Sequence, residues 1–352
     1  MRITQTGLLT CDPSKASPGL TLFAPLEAHN AYLLNMAGDT VHEWALGEPV
    51  GGNVYLLENG NLLTAERSPE GPTGVNGKGG FIREYDWDGG VVSEYIDHAQ
   101  HHDMRRLDNG NLLYIGWEEM DPDKATRVQG GIAGTEHNDG SILSDYLKEV
   151  TPKGDVVWEW HMQDMEIENY PLHLEVPRAE FAHMNSCFPL PNGDVLVSLR
   201  RNSMVAVIDR ETKKFNWQMS DLTWGMQHDA QMLDNGNFLF FANGLSTATF
   251  PHSRVIELDP KPKEIVWQYK GSPPFSFFSP HISGAQRLAN GNTLICEGVW
   301  GRFFEVTPEG EIVWEYISPH EFTYFNNDKL NWVFRCYRYT EDSRQINNRV
   351  SA

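Results

Sequence analysis

Short apolar runs, each closed by an Asn-Gly turn, recur along the chain and predict β-hairpins. The turns read Asn-Gly-Asn or Asn-Gly-Asp, and they occupy residues 59–61, 109–111, 192–194, 235–237 and 290–292. Asn and Gly tolerate the positive φ that a tight hairpin turn requires. The turns themselves are therefore interpreted as structural.

A second hairpin pattern alternates with the first. It ends where Glu or Gln precedes an aromatic residue or Met, and it occurs six times, at residues 42–44, 93–95, 158–160, 217–219, 267–269 and 314–316. The central residues of consecutive copies are 51, 65, 59, 50 and 47 residues apart. A β-rich unit with a period near 50 residues is typical of propeller blades.

Together the two patterns predict an all-β, six-bladed propeller of four-stranded antiparallel blades, formed by residues 1–352 as a single domain. In each blade the Asn-Gly hairpin supplies two inner strands and the second hairpin supplies two outer strands. Five blades then span approximately residues 50–97, 100–161, 182–220, 227–270 and 280–318. The unmatched outer hairpin at 31–45, the strand-like residues 20–23 and the alternating run 332–339 predict a sixth blade built by both chain ends, which closes the ring. Insertions at about 119–143 and 162–181 are expected to cap one face.

Charge and composition exclude several classes of partner. The net charge of −20 argues against nucleic acids and anionic membrane surfaces, because a basic patch is missing. No run approaches the roughly 20 apolar residues of a membrane span. Four dispersed cysteines without a CxxC pair, and no signal-like apolar segment, favour a soluble, cytoplasmic protein. The oligomeric state is not predicted.

Histidines precede four of the Asn-Gly turns at odd distances. His102 and His228 each lie seven residues before the first Asn of the turn, and His183 and His281 each lie nine residues before it. Side chains on a strand alternate with period two, so these imidazoles should share one face, toward the channel where propellers bind ligands. By the same rule His101 should face away from His102, and Asp103 and Asp229 should form hydrogen bonds between blades.

Two arginines, Arg200 and Arg201, end the strand that pairs with the His183 strand. One of them should point toward the channel, where it could bind a sulfuryl, phosphoryl or carboxylate group. A surface salt bridge is the competing interpretation.

The chain resembles the bacterial arylsulfotransferase (aryl-sulfate sulfotransferase) family, whose catalytic domain is a six-bladed propeller. The resemblance spans nearly the whole sequence. Its most specific parts are the His-x-Asn of His183 and Asn185, the Val-Ser-Leu-Arg run that ends at Arg200, and the Gln-His-Asp-Ala run that contains His228. Members are typically exported and carry an additional N-terminal domain, and this sequence predicts neither feature.

The resemblance implies a transferase that needs no cofactor and acts on a small aromatic or anionic substrate. His228 would be the nucleophile that becomes transiently sulfated, with His102 and His183 as its acid/base partners. Asn185 and Arg200 would bind the sulfuryl oxygens, and His281 is a further candidate for substrate binding.

Two other functions use the same residues differently. Histidines that converge on a channel could bind Mn²⁺, Fe²⁺ or Zn²⁺ in a lyase or hydrolase of a small organic anion, with four ligands: His102, His183, His228 and His281. A propeller that binds a ligand or a protein without catalysis is the third possibility.

Overall fold

The predicted architecture is confirmed by a computed structural model, which describes residues 5–245, 250–324 and 327–351. Six antiparallel blades form a ring. The strands, in chain order, are β1 (Gly7–Cys11), β2 (Leu20–Pro25), β3 (Asn30–Leu34), β4 (Thr40–Ala45), β5 (Val50–Leu56), β6 (Leu62–Arg67), β7 (Gly80–Tyr85), β8 (Val91–Ile96), β9 (Gln100–Arg106), β10 (Leu112–Glu119), β11 (Gly130–Ile132), β12 (Leu143–Val150), β13 (Val156–His161), β14 (Leu172–Pro177), β15 (Met184–Pro189), β16 (Val195–Leu199), β17 (Met204–Ile208), β18 (Phe215–Ser220), β19 (His228–Met232), β20 (Phe238–Ala242), β21 (Arg254–Asp259), β22 (Glu264–Lys270), β23 (Gly284–Arg287), β24 (Thr293–Glu297), β25 (Arg302–Val306), β26 (Ile312–Ile317), β27 (Phe322–Thr323), β28 (Lys329–Leu330) and β29 (Val333–Tyr339).

Blades 1 to 5 follow the chain from inside to outside. Blade 1 is β5–β8, blade 2 is β9, β10, β12 and β13, blade 3 is β15–β18, blade 4 is β19–β22, and blade 5 is β23–β26. Blade 5 carries β1 as a fifth strand at its outer edge.

Both ends of the chain build blade 6, as the sequence predicts. Its order is β29-β2-β3-β4, so the C-terminal strand is innermost and pairs antiparallel with β2. The ring is thereby closed by hydrogen bonds between segments more than 300 residues apart, and the sheet edges that an open ring would expose are removed.

Helical structure is confined to short segments. One helix, α1 (Pro122–Ala125), begins after the N-cap Asp121. The 3₁₀ turns in the described residues are Met162–Asp164, Ile167–Asn169, Arg200–Asn202, Leu222–Trp224, Pro274–Ser276 and Gly298–Trp300. None of the helices in the described parts is long and apolar enough to cross a membrane.

The two insertions pair with each other. The first contributes β11 and the second contributes β14, and these strands pair in parallel. Val128, Ile167, Leu172 and Val176 pack with the core of blades 2 and 3. The paired insertions are thus continuous with the hydrophobic core of these blades.

Tryptophans of the second hairpin pattern join neighbouring blades. The indole of Trp160 donates to the Lys213 carbonyl of blade 3, and that of Trp217 donates to the Pro260 carbonyl of blade 4. The same contact recurs in three more blade interfaces, from Trp44, Trp267 and Trp314. The pattern therefore marks the blade interfaces.

A buried glutamate explains why Asn recurs on both sides of the turn glycine. In blade 4, Asn235 and Asn237 donate to Glu257 Oε1 at 3.0 and 2.7 Å, and Arg287 of blade 5 donates to Oε2 at 2.6 Å. The equivalent glutamates that bind turn asparagines and an arginine are Glu84, Glu149 and Glu305. Each such group fixes a turn and joins two blades.

We expect Glu257→Gln to lower the free energy of unfolding by about 1.5–3 kcal/mol, because hydrogen bonds to a charged group are lost together with the ion pair. Urea denaturation measures the change. An unaltered midpoint would mean that the turn–glutamate group contributes nothing to stability.

Candidate active site

The candidate site lies where the inner strands of blades 2, 3 and 4 begin. Irregular backbone occurs there, because His102 and His183 have φ of 55° and 52°, and the residue after His228, Asp229, has φ of 58°. The register of each inner strand shifts at the same place. Such bulges re-aim side chains next to active sites.

The bulges correct one expectation from the sequence. His101 does not face away from His102, because their Nδ1 atoms are 2.7 Å apart. Period-two alternation requires extended backbone, and the positive φ at His102 interrupts it. The convergence of His102 and His183 therefore depends on local kinks in the chain.

His228 is held by an amide. Its Nδ1 lies 2.7 Å from Asn243 Oδ1, and the Asn243 amide nitrogen donates to the carbonyls of Ser279 and Ile282, each at 2.9 Å. Because both carbonyls require a donor, the Asn243 oxygen must be the atom that faces His228. His228 consequently carries its proton on Nδ1 and has a lone pair on Nε2.

His183 is held by a carboxylate. Its Nδ1 donates to Glu180 Oε2 at 2.6 Å, and Arg201 donates to Glu180 Oε1 at 2.7 Å. The Trp117 indole also lies within hydrogen-bonding distance of Oε2, at 3.2 Å. These contacts leave Nε2 of His183 available to the site.

His102 is held by a second imidazole. His101 Nε2 lies 3.1 Å from Asp145 Oδ1, and the charge of this carboxylate favours the His101 tautomer with its proton on Nε2. His101 Nδ1 can then accept from His102 Nδ1, so the Nε2 atom of His102 is also unprotonated. Nothing in the sequence pattern indicated the contacts that fix Nδ1 of these three histidines.

The imidazoles are close together and buried. The ring centroids of His102 and His183 are 4.7 Å apart, and the ring of Phe334 is centred 5.8 Å from His102 and 6.5 Å from His228. The exposed fractions of His102, His183 and His228 are 4%, 5% and 2%. Phe334 comes from β29, so the closing strand contributes directly to the site.

Burial keeps the imidazoles neutral. It is the main cause that lowers the pKa of His102 and His228 well below the ordinary value, and the neighbouring histidines and Arg200 lower both pKa values further, because a second positive charge beside them is unfavourable. Burial also lowers the pKa of His183, although the Glu180 carboxylate opposes this shift. Neutral imidazoles with a free nitrogen are competent nucleophiles and bases.

Arg200 is the cation of the site. Its guanidinium forms no hydrogen bond or ion pair with the described residues, whereas Arg201 is engaged by Glu180. Burial and the charge of Arg201 lower the pKa of Arg200 to about 10, so it remains charged at neutral pH. The charge of Arg200 also lowers the pKa of four imidazoles, those of His102, His183, His228 and His281.

The remaining predicted substrate-binding residues differ in position. Asn185 is fully buried and donates its amide to the carbonyl of Gln227 at 2.8 Å, which joins blade 3 to the residue before His228. His281 is only partly buried and packs edge-on against Trp332. Burial, followed by the charge of Arg200, lowers the pKa of His281 to about 4.

A buried arginine lies beneath the site. Arg335 of β29 is 3.2 Å from Asp103 Oδ2 and 3.1 Å from Asp229 Oδ1, and it donates to the Asn185 carbonyl at 2.6 Å. Asp103 also accepts from the Cys187 amide, and Asp229 accepts from the Ala285 amide. The two aspartates thus link neighbouring blades.

The geometry of the described residues does not favour a metal site. No group of three or more His, Cys, Asp or Glu side chains there could hold a metal ion. In the histidine cluster the Nδ1 atoms are engaged by Asn243, Glu180 and His101, and the cation of Arg200 acts on the same imidazoles. A resident cation would have to share the site with this arginine.

Comparison with known proteins identifies one family. The model of the family described as arylsulfotransferase (ASST) matches residues 74–319. No curated protein sequence matches the chain.

Solved structures resemble the fold at low sequence identity. A protein of unknown function from Bacteroides caccae is 15% identical with a TM-score of 0.57, and the alignment covers 91% of this chain and 98% of that one. A streptogramin B lyase is 11% identical with a TM-score of 0.50, with 95% and 93% covered. These likenesses concern the propeller alone.

Proposed function

The chain belongs to the arylsulfotransferase family, and from this premise we propose that it transfers a sulfuryl group between phenols through a sulfohistidine at His228. One observation carries the proposal. Three buried imidazoles with unprotonated Nε2 atoms all feel the charge of Arg200, whose guanidinium has no ion-pair partner among the described residues. This combination suits the capture of an anion beside a nucleophile and a base.

In the first half-reaction, Nε2 of His228 attacks the sulfur of an aryl sulfate. The N–S bond forms as the S–O bond to the arene breaks. The departing phenolate takes a proton from a neighbouring histidine, which is neutral in the free enzyme and binds this proton from water together with the anionic substrate. In the second, that histidine accepts the proton of an acceptor phenol, whose oxygen attacks sulfur and displaces His228.

Asn243 suits this sequence of events. Because its oxygen is a neutral acceptor, it holds the Nδ1 proton of His228 and does not remove it. The group displaced in the second half-reaction is therefore a neutral imidazole, which leaves more readily than an imidazolide anion.

Arg200 would stabilise the charge on the sulfuryl oxygens. We expect Arg200→Gln to lower kcat/KM for an aryl sulfate by about 10²–10³-fold, as for the loss of one donor to a transition-state oxyanion. Steady-state kinetics with nitrophenyl sulfate measures it. A variant with kcat/KM within a fewfold of the parent would remove Arg200 from the mechanism.

Incubation with an aryl sulfate tests the proposed function directly. The expected result is one equivalent of phenol released in a burst, a mass increase of one sulfuryl group on the peptide that contains His228, and transfer of that group to an added phenol. Neither labelling nor turnover with a panel of aryl sulfates would overturn the proposal.

The metal-dependent alternative predicts different behaviour. Activity should then disappear with a chelator and return with Mn²⁺, Fe²⁺ or Zn²⁺. For the sulfotransferase, chelators should leave the burst of phenol unchanged.

A further inference from the structure

We infer that Glu180 is a positioning residue that makes His183, rather than His102, the histidine that carries the proton between enzyme and phenol. This inference rests on the proposed function. It divides between two histidines a role that the family resemblance assigns to both.

The Nδ1 atoms of His183 and His102 have different partners. His183 Nδ1 donates to a carboxylate oxygen at 2.6 Å, whereas His102 Nδ1 faces a second imidazole, that of His101, at 2.7 Å. A proton received at Nε2 of His183 creates an ion pair with Glu180. A proton received at Nε2 of His102 creates a cation beside another imidazole, which is far less favourable in a buried site.

Glu180 is held in place by other side chains. Its side chain is 4% exposed, and Arg201 and the Trp117 indole bind its two oxygens. Although burial opposes it, the charges of His183 and Arg201 lower the pKa of Glu180 well below its usual range. The contacts from Arg201 and the Trp117 indole do not depend on the proton of His183, so they hold the carboxylate in place in both protonation states of His183, and it fixes the direction of the ring.

The other charged groups that face His183 do not replace Glu180. The charges of Arg201 and Arg200 lower the pKa of His183, and the imidazoles of His102 and His228 are themselves kept neutral by burial. Glu180 is the anion that raises the pKa of His183. Removal of this carboxylate should therefore lower the pKa of His183 further.

Leaving-group dependence separates a proton-carrying pair from a structural one. Nitrophenolate leaves without help, whereas unsubstituted phenolate requires a proton. We expect Glu180→Gln to slow the phenol burst from phenyl sulfate by about 10²–10⁴-fold, and that from nitrophenyl sulfate by less than about tenfold. Because the proton donor must be protonated, the high-pH limb of the phenyl sulfate profile should move to lower pH.

The matched control is Glu257→Gln, which removes a carboxylate paired with an arginine at the distant turns. It should keep the parent ratio between the two substrates. Equal slowing of both substrates by Glu180→Gln, with the parent pH profile, would overturn the inference.

Arg201 loses its partner in the Glu180→Gln variant, so a second variant guards against misfolding. Glu180→Gln combined with Arg201→Met removes both charges and should give the same change in ratio, because the contribution of Glu180 to His183 outweighs that of Arg201.

A measurement without substrate keeps the inference separate from the proposed function. NMR of ¹⁵N-histidine-labelled protein follows the titration of His183, assigned from the signal lost in His183→Gln. Glu180→Gln should move this titration to lower pH; an unmoved titration would refute the inference even if sulfuryl transfer is found. Absence of turnover in the parent would refute the proposed function and leave this result standing.

Discussion

We expect His228→Gln to abolish the sulfated enzyme and to lower kcat/KM for aryl sulfates by at least about 10³-fold, because no other group supplies the N–S bond. The reason is local. His228 alone among the three imidazoles is held by an amide, which leaves Nε2 unprotonated and keeps the Nδ1 proton in place. Residual activity, if any, would come from binding and from the charge of Arg200.

Intact-mass analysis after incubation with nitrophenyl sulfate, together with steady-state kinetics, measures both effects. His320→Gln is the matched control, because that histidine stacks on Tyr32 in the outer part of the propeller, 4.0 Å between ring centroids. It should be labelled and turn over like the parent. A His228→Gln protein that still becomes sulfated, for example on His183, would show that another imidazole is the nucleophile.

The largest effect on stability is expected at Arg335. Arg335→Met should lower the free energy of unfolding by about 3–5 kcal/mol, because it leaves Asp229 buried without its cation and deprives Asp103 of one of two arginines. Burial already raises the pKa of Asp229 despite the charge of Arg335, so the variant should bind a proton there.

Urea denaturation at neutral pH and at pH 5 measures this change. The loss should shrink at the lower pH, because protonation of Asp229 removes the uncompensated charge. Adding Asp229→Asn should recover part of the stability, whereas Arg287→Met, which breaks a more exposed ion pair with Glu257, should cost less than Arg335→Met. Equal losses of unfolding free energy for Arg335→Met and Arg287→Met would show that the buried ion pairs of Arg335 contribute no more to stability than the more exposed pair of Arg287.

The sequence predicts the ring well because the ring is repetitive. The second hairpin pattern recurs in all six blades and the Asn-Gly turn in five of them, so each blade is indicated by its neighbours as well as by its own residues. The pairing of β29 with blade 6 follows from the same count, because six outer hairpins and five Asn-Gly hairpins leave one blade that lacks an inner hairpin. The Asn-Gly turns are structural, as the sequence predicts. The sequence does not indicate the glutamate that accepts from both turn asparagines, such as Glu257, because it lies on another strand and belongs to no recognisable motif.

The site is less predictable because it is not periodic. The four histidines could be found from their spacing, but the rule that placed His101 on the opposite face assumed an extended strand, and the bulge at His102 breaks it. Asn243 follows β20, and Phe334 lies on the closing strand. Both residues contact His228 only through the tertiary fold, so no local sequence pattern predicts these contacts. Glu180 stands three residues before His183 in an insertion, where acidic residues are common on surfaces.

The closing strand also determines when the site can exist during protein synthesis. The ribosome delivers blades 1 to 5 before β29, and each blade can fold as it emerges. Yet Phe334 and Arg335, which lie against the histidines and the aspartates that follow them, arrive only at the end. The candidate site is therefore complete only when this strand pairs with β2 and closes the ring.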